Sequence, residues 1–290
     1  MLPLFSCATN YSSWHLNEMQ IDKLWEYSKG DSQVIAFIDT GISDAVQLGL
    51  QDRITYAYDV IEQKKTAIDT HGHGTEMVSV ACGDGTFNVW GIAPNAKILI
   101  IKAVSDDGKT DNEYLYQALK IAENHDATIV NISIGGHKES DKVTGQINTM
   151  LEHGITVVAA GGDYDNKDLL FPSSINGVVS VEASTESGGL WKESNHSEDS
   201  VMRMPGCNID VLTLGIDGKV HKDVATGTSQ ATAITSGYIA LIKDYYLLNG
   251  IQLNNEELID VLKTLNTKEQ SSIDYVKPFE AIKNQLTTKD

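Results

Sequence analysis

Three separated segments carry side chains that could do chemistry together. The stretch IDTGI ends an apolar run in Asp39, DTHGHGTEMVSVACG holds His73 between glycines, and GTSQATAITSGYIALI sets Ser229 ahead of an apolar helical run. Each has an ordinary structural reading. A serine ahead of a helix caps orphan N–H groups, an aspartate before Gly41 caps the turn that the glycine permits, and a single histidine is commonly structural or solvated. Taken together they allow acyl transfer: a hydroxyl attacks a carbonyl, an imidazole takes its proton, and a carboxylate holds the imidazole. Asp, His, Ser is one of the chain orders in which that triad occurs.

The elements that must position these groups are legible as an alternation. Residues 34–39, 96–104, 127–134, 155–160 and 176–183 are short β-branched runs expected to be strands buried on both faces. Between them, Leu115, Ala118, Leu119 and Ala122 form one apolar helical stripe, and Val143, Ile147, Met150 and Leu151 another, with Gly154 at the expected stop. Strand, helix, strand in this order predicts an α/β fold with a mostly parallel central sheet flanked by helices on both faces. Functional groups in such sheets gather beyond the carboxyl ends of the strands, where the Asp39 segment falls. Residues 255–286 are expected to form two surface helices, the first opened by Asn254 or Asn255 with Glu256.

A chain of 290 residues with 41% hydrophobic content can bury a large core, and no linker divides it, so one domain over 1–290 is expected, with 1–13 a short N-terminal extension. Its formal charge of −18, from 40 acidic and 22 basic residues, opposes nucleic-acid and anionic-lipid partners. Cys7, Cys82 and Cys207 form no CxxC pair, which favours reduced thiols over zinc or a redox dithiol. The N-terminus MLPLFSCATN lacks a basic leader and its apolar stretch is short, so a soluble cytoplasmic protein is expected. Oligomeric state is left open.

The three motifs DTG, HGT and GTSxA, in that order, resemble those of the subtilisin-like serine proteases, or subtilases, over essentially the whole chain from Trp14. The resemblance implies a subtilisin-like fold and a serine endopeptidase with Ser229 as nucleophile, His73 as general base then acid, and Asp39 orienting the imidazole. It also implies that Ser229 offers its own N–H to the oxyanion. Ser133, Ile134 and Gly135 of NISIGG would wall the specificity pocket with Ala160 and Gly161. Gly108, Lys109 and Thr110 would face them, so that a peptide or protein substrate binds as an extended middle strand. Some small cytoplasmic bacterial relatives process leader peptides of ribosomally made peptides, and this chain's size and layout are similar to theirs.

The chain departs from the pattern after the strand ITVVAA. Where relatives read AGN it reads GGDYDN, which places Gly162 at the position of the oxyanion amide donor and Asp163 beside it. In subtilisin itself, losing that donor slows turnover roughly 10²–10³-fold, or about 3–4 kcal/mol. Slow, selective proteolysis is therefore expected, with Asn166 a substitute donor if the loop shifts, and Gly162→Asn is expected to speed turnover. Glu76 stands where relatives often have a second histidine, and Ala233 where a proline is common. CGDGTFNVWGIAP is shorter than the calcium loop of secreted relatives, so no metal is expected there, and no cofactor. MLPLFSCATN could lie over the active site. Two rivals stand beside this reading: a pseudoprotease that binds peptides and barely cleaves, and a zinc hydrolase built on His71, His73 and Glu76.

Overall fold

The computed structural model describes residues 11–44, 49–265, 267–269 and 273–287. Seven strands form its central sheet: β1 (Val34–Asp39), β2 (Ile54–Asp59), β3 (Lys97–Lys102), β4 (Ile129–Ile132), β5 (Thr156–Ala160), β6 (Val179–Ser184) and β7 (Met202–Pro205). Their spatial order is β2-β3-β1-β4-β5-β6-β7, and every pairing is parallel. At the centre, Phe37 of β1 lies opposite Ile100 on one side and Asn131 on the other.

Because strand side chains alternate between faces, this sheet divides the core in two. On one face Ala36, Ile38, Leu99 and Ile101 meet α4 (Asn112–Asn124) and α5 (Asp141–Glu152) through the expected stripes containing Leu115, Leu119, Val143 and Ile147. On the other, Ile35, Phe37, Ile98 and Ile100 meet α3 (His73–Cys82) and the long α6 (Thr228–Leu248) through Met77, Val78, Ile234 and Tyr238. A buried polar contact fixes α6 against the sheet, with the Ser236 hydroxyl donating to Asn131 Oδ1 at 3.0 Å.

Local capping follows from side-chain chemistry. Asp111 accepts from the N–H groups of Glu113 and Tyr114, both at 2.9 Å, and so opens α4. Helix α7 (Asn255–Lys263) is opened by Asn254 with Glu257 in a reciprocal capping box, whereas the sequence reading put Glu256 in that role. Helix α8 (Lys277–Thr287) completes the expected pair near the end.

The sequence reading missed β2, β7 and the antiparallel hairpin of β8 (Ile209–Leu214) and β9 (Val220–Ala225). Apart from β7, these strands are half-exposed and so lack continuous apolar runs. It also missed α1 (Trp14–Glu18) and α2 (Ile21–Tyr27). Residues 1–10 of the expected extension lie outside the described residues, but 11–13 are built into the fold. The hydroxyls of Ser12 and Ser13 donate to Asp210 at the start of β8, and Tyr11 donates to Asp22. Trp14 Nε1 donates to the Cys207 carbonyl at 2.9 Å. Among the described residues, no helix is long and apolar enough to cross a membrane.

Candidate active site

Asp39 is the last residue of β1 and its side chain is almost wholly buried. Its Oδ1 accepts from the Thr40 N–H at 2.7 Å and meets His73 Nδ1 at the same distance. Immediately beyond the strand, Gly41 turns with φ of +109° and packs against the Ala67 carbonyl, where any Cβ would lie 2.4 Å from the oxygen. Gly74 is as confined, since a Cβ there would lie 2.2 Å from the Gly41 carbonyl oxygen. Two glycines thus let the β1 exit and the first turn of α3 approach closely enough for carboxylate and imidazole to meet.

His73 opens α3, and a carboxylate that the sequence reading passed over shapes the preceding turn. Asp69 accepts from the N–H groups of His71 and Gly72 with one oxygen, and from the N–H and hydroxyl of Thr75 with the other. Burial alone would raise its pKa, but these donors hold it below the ordinary value. An Asp two and three residues ahead of acceptor-poor N–H groups was the signal for it in DTHG.

Burial favours the neutral imidazole of His73, but the charge and hydrogen bond of Asp39, helped by Glu76 and Asp69, outweigh it and carry the pKa up to about 9. One quarter of the imidazole remains open to solvent, so the ring is seated without being sealed off. Glu76, one turn along α3, accepts from the Thr213 hydroxyl at 2.7 Å and from Gln230 Nε2 at 3.4 Å. Gln230 follows Ser229 directly, so this contact places the first turns of α3 and α6 side by side. Burial pushes the Glu76 pKa up, with Thr213 and His73 opposing it.

Ser229 is the second residue of α6, where helical N–H groups have no intrahelical acceptor. Its hydroxyl donates to the Ser133 carbonyl at 2.9 Å, and the Ser133 hydroxyl donates to the Ser229 carbonyl at 3.1 Å. Asn131 fixes the Ser133 hydroxyl from below at 2.9 Å. Among the described residues no hydrogen bond joins Ser229 to His73. The sequence-predicted Asp39 and His73 are therefore in direct contact, while the Ser229 hydroxyl is turned to the chain continuing β4 and the next residue, Gln230, reaches Glu76 on the helix that His73 opens.

Position 162 corrects the sequence reading. Gly162 has φ of +116°, and a Cβ there would lie 2.7 Å from Asn195 Nδ2 and 2.8 Å from Leu170 Cγ. A side chain there would strain the backbone and force Asn195 or Leu170 to shift, so Gly162→Asn is not expected to supply a donor without cost. The side chain that reaches the start of α6 is that of Asp163, whose Oδ1 accepts from the Thr228 N–H at 2.9 Å and the Thr228 hydroxyl at 2.7 Å. The Asn166 side-chain oxygen accepts from the Asp168 N–H within its own loop at 3.2 Å. Buried Asn195, which the sequence reading did not single out, holds this loop by accepting from the N–H groups of Tyr164 and Asn166 and donating to the Asp168 carbonyl.

The expected substrate edges lie on opposite sides of a cleft. Lys109 spends its N–H and carbonyl on Ser105, and the Gly108 N–H also goes to Ser105. The Thr110 hydroxyl donates to the Ala103 carbonyl at 2.7 Å. A cavity of about 250 Å³ separates Thr110 from Ile134 and Gly135. Gly161 is less available than expected, because its N–H is bonded to Val181 and its carbonyl to Leu170. Ala160 is buried at the end of β5. His71 and His73 have ring centroids 6.4 Å apart, and among the described residues no group of three or more His, Cys, Asp or Glu could hold a metal ion.

A parallel sheet with an Asp–His pair and a helix-borne serine at its carboxyl edge defines the α/β class of the subtilisin-like proteins. The chain belongs to the subtilase family, whose model matches residues 30–275. It is 30% identical over 239 residues to the minor extracellular protease Epr of Bacillus subtilis (strain 168), covering 81% of this chain and 36% of that protein. The chain therefore spans little more than a third of that relative's length. It is 29% identical over 261 residues to the major intracellular serine protease of the same organism, covering 83% of this chain and 80% of the relative. A solved cold-adapted subtilisin-like serine proteinase superposes with a TM-score of 0.72 at 23% identity, over 84% of this chain and 86% of that one.

Proposed function

We propose that the chain acts as a single subtilisin-like serine endopeptidase unit that cleaves an extended peptide slowly and selectively. The observation that carries this reading is the Asp39–His73 pair at the head of α3, joined through the Glu76–Gln230 contact to the first turn of α6, where Ser229 stands. In the reaction Ser229 rotates from the Ser133 carbonyl toward His73, gives up its proton and attacks the scissile carbonyl. His73 then returns the proton to the leaving amine, and water repeats the sequence on the acyl-enzyme. Asp39 keeps the Nδ1 proton in place and stabilises the imidazolium.

The Ser229 N–H supplies one hydrogen bond to the oxyanion, as a helix N-terminus favours. The second is weakened, because Asp163 presents an acceptor at the start of the same helix. That supports slow turnover and a dedicated role, such as processing a peptide precursor, over general degradation. Likeness to the intracellular relative over most of its length, together with the buried free thiols of Cys82 and Cys207, supports action in the cytoplasm.

Labelling by a fluorophosphonate tests the reading. An activated nucleophile gives labelling that Ser229→Ala abolishes, whereas a folded chain that resists labelling belongs to the second reading. That second reading, a peptide-binding pseudoprotease, is favoured by one observation, the Asp163 carboxylate on Thr228. Profiling a peptide library with the unmodified chain and Ser229→Ala separates the two and reports the cleavage preference.

A further inference from the structure

We propose that Leu170 closes the floor of the cleft beside Ser229 and restricts the substrate residue whose carbonyl is attacked to glycine, alanine or serine. This inference rests on the peptidase reading above. Ser229 sits at the mouth between two chain segments. One continues β4 and is marked by the Ser133 carbonyl that takes the Ser229 hydroxyl. The other continues β5 and is marked by Gly162, whose N–H donates to the Thr228 hydroxyl at 3.2 Å. A peptide held with its scissile carbonyl at Ser229 sends the adjoining side chain between these walls.

Glycines at 135 and 162 leave a slot there, and Leu170 occupies it. A Cβ built on Gly135 would lie 2.9 Å from Leu170 Cβ, and one built on Gly162 would lie 2.8 Å from its Cγ and 2.9 Å from its Cδ1. The isobutyl group therefore touches both walls, and Leu170 is only 6% exposed. Its backbone cannot swing aside cheaply. The Leu170 N–H donates to the Gly161 carbonyl at 2.9 Å, and the Leu170 carbonyl accepts from the Ser173 hydroxyl at 2.6 Å and the Ser174 N–H at 3.1 Å.

Bulk is excluded at this position and not along the whole cleft. The cavity of about 250 Å³ between Thr110 and Ile134, with Leu115 and Phe171 in its lining, stays open for a larger side chain elsewhere in the peptide. The substrate class is thus an extended segment with a small residue on the acyl side of the cleaved bond.

The test is a set of fluorogenic peptides of one sequence that differ only in having Gly, Ala, Leu or Phe at that residue, offered to the unmodified chain, Leu170→Ala and Leu170→Val. The unmodified chain should prefer Gly or Ala over Leu and Phe by at least about 10–200-fold in kcat/KM, the range a single methylene produces in a tight pocket. Leu170→Ala should move the preference toward Leu and Phe, and Leu170→Val, which keeps most of the packing if the alanine variant unfolds, should move it part of the way. Equal cleavage of Phe and Ala peptides by the unmodified chain overturns the inference and leaves the peptidase reading standing. If no peptide is cleaved, the peptidase reading fails, and the same set measured for binding to Ser229→Ala decides the inference: the same rank order upholds the slot, and equal or absent binding overturns it.

Discussion

The Asp163 carboxylate lies 2.9 Å from the backbone nitrogen of Thr228, one residue ahead of the candidate nucleophile. A negative group at a helix N-terminus stabilises the helix, and the same charge opposes an oxyanion forming at Ser229. Asp163→Asn keeps an oxygen for Thr228 and adds an N–H donor. Its kcat should rise by about 10²–10³-fold, in line with the value of one oxyanion donor. Steady-state kinetics on one peptide check this, and an unchanged kcat would place Asp163 outside the oxyanion's reach.

The pKa of about 9 at His73 sets a pH profile. At neutral pH the imidazole is mostly protonated, so kcat/KM should climb with pH and level off above about 9. Asp39→Asn removes the main charge raising that value, so the inflection should move down while kcat falls by about 10⁴-fold through loss of the correct tautomer. A pH–rate profile of both proteins is the measurement.

The same shift has a consequence for stability. Because the folded pKa is raised, the Asp39–His73 pair contributes fully below the unfolded value of about 6.5 and its contribution fades as pH rises through about 9. Denaturant unfolding at pH 6 and pH 10 should show a loss at the higher pH, and the part due to this pair should be missing in Asp39→Asn.

Much of the site was legible because its parts are local. A carboxylate closing an apolar strand, a histidine behind glycines and a serine heading an apolar helix each declare their element within a few residues, and the family's spacing joins them. The turn after β5 was not legible to the same resolution. In a run of Gly-Gly-Asp, sequence does not say which residue faces α6. That follows from Asn195, distant in the chain, and Leu170, on the far side of the same loop, crowding the Gly162 position. Leu170 was missed for the same reason, since nothing in KDLLFP announces that a loop side chain returns between two strand ends. Strands β2, β8 and β9 were missed because partly exposed strands mix polar with apolar residues and lose the continuous signal of buried ones.

Asn195 should be as sensitive as a site residue although it touches none of the three candidate side chains. It is fully buried, and Asn195→Ala would leave the N–H groups of Tyr164 and Asn166 without their acceptor. The expected destabilisation is about 1–3 kcal/mol, with kcat/KM falling as the chain at Gly162 that walls the cleft beside Ser229 loosens. Chemical denaturation and peptide turnover on the same variant report both effects.

The way Tyr11, Ser12 and Ser13 are fastened limits how the amino end can be shortened. Lys222 Nζ joins both Ser12 and Asp210, so the β8–β9 hairpin is held from outside by the chain's own beginning. A deletion intended to uncover the cleft must spare everything from Tyr11 onward. Cutting one or two residues further would unclasp a hairpin that packs on the histidine-bearing helix, and a change in activity would then report damage to the scaffold instead of relief from a cover.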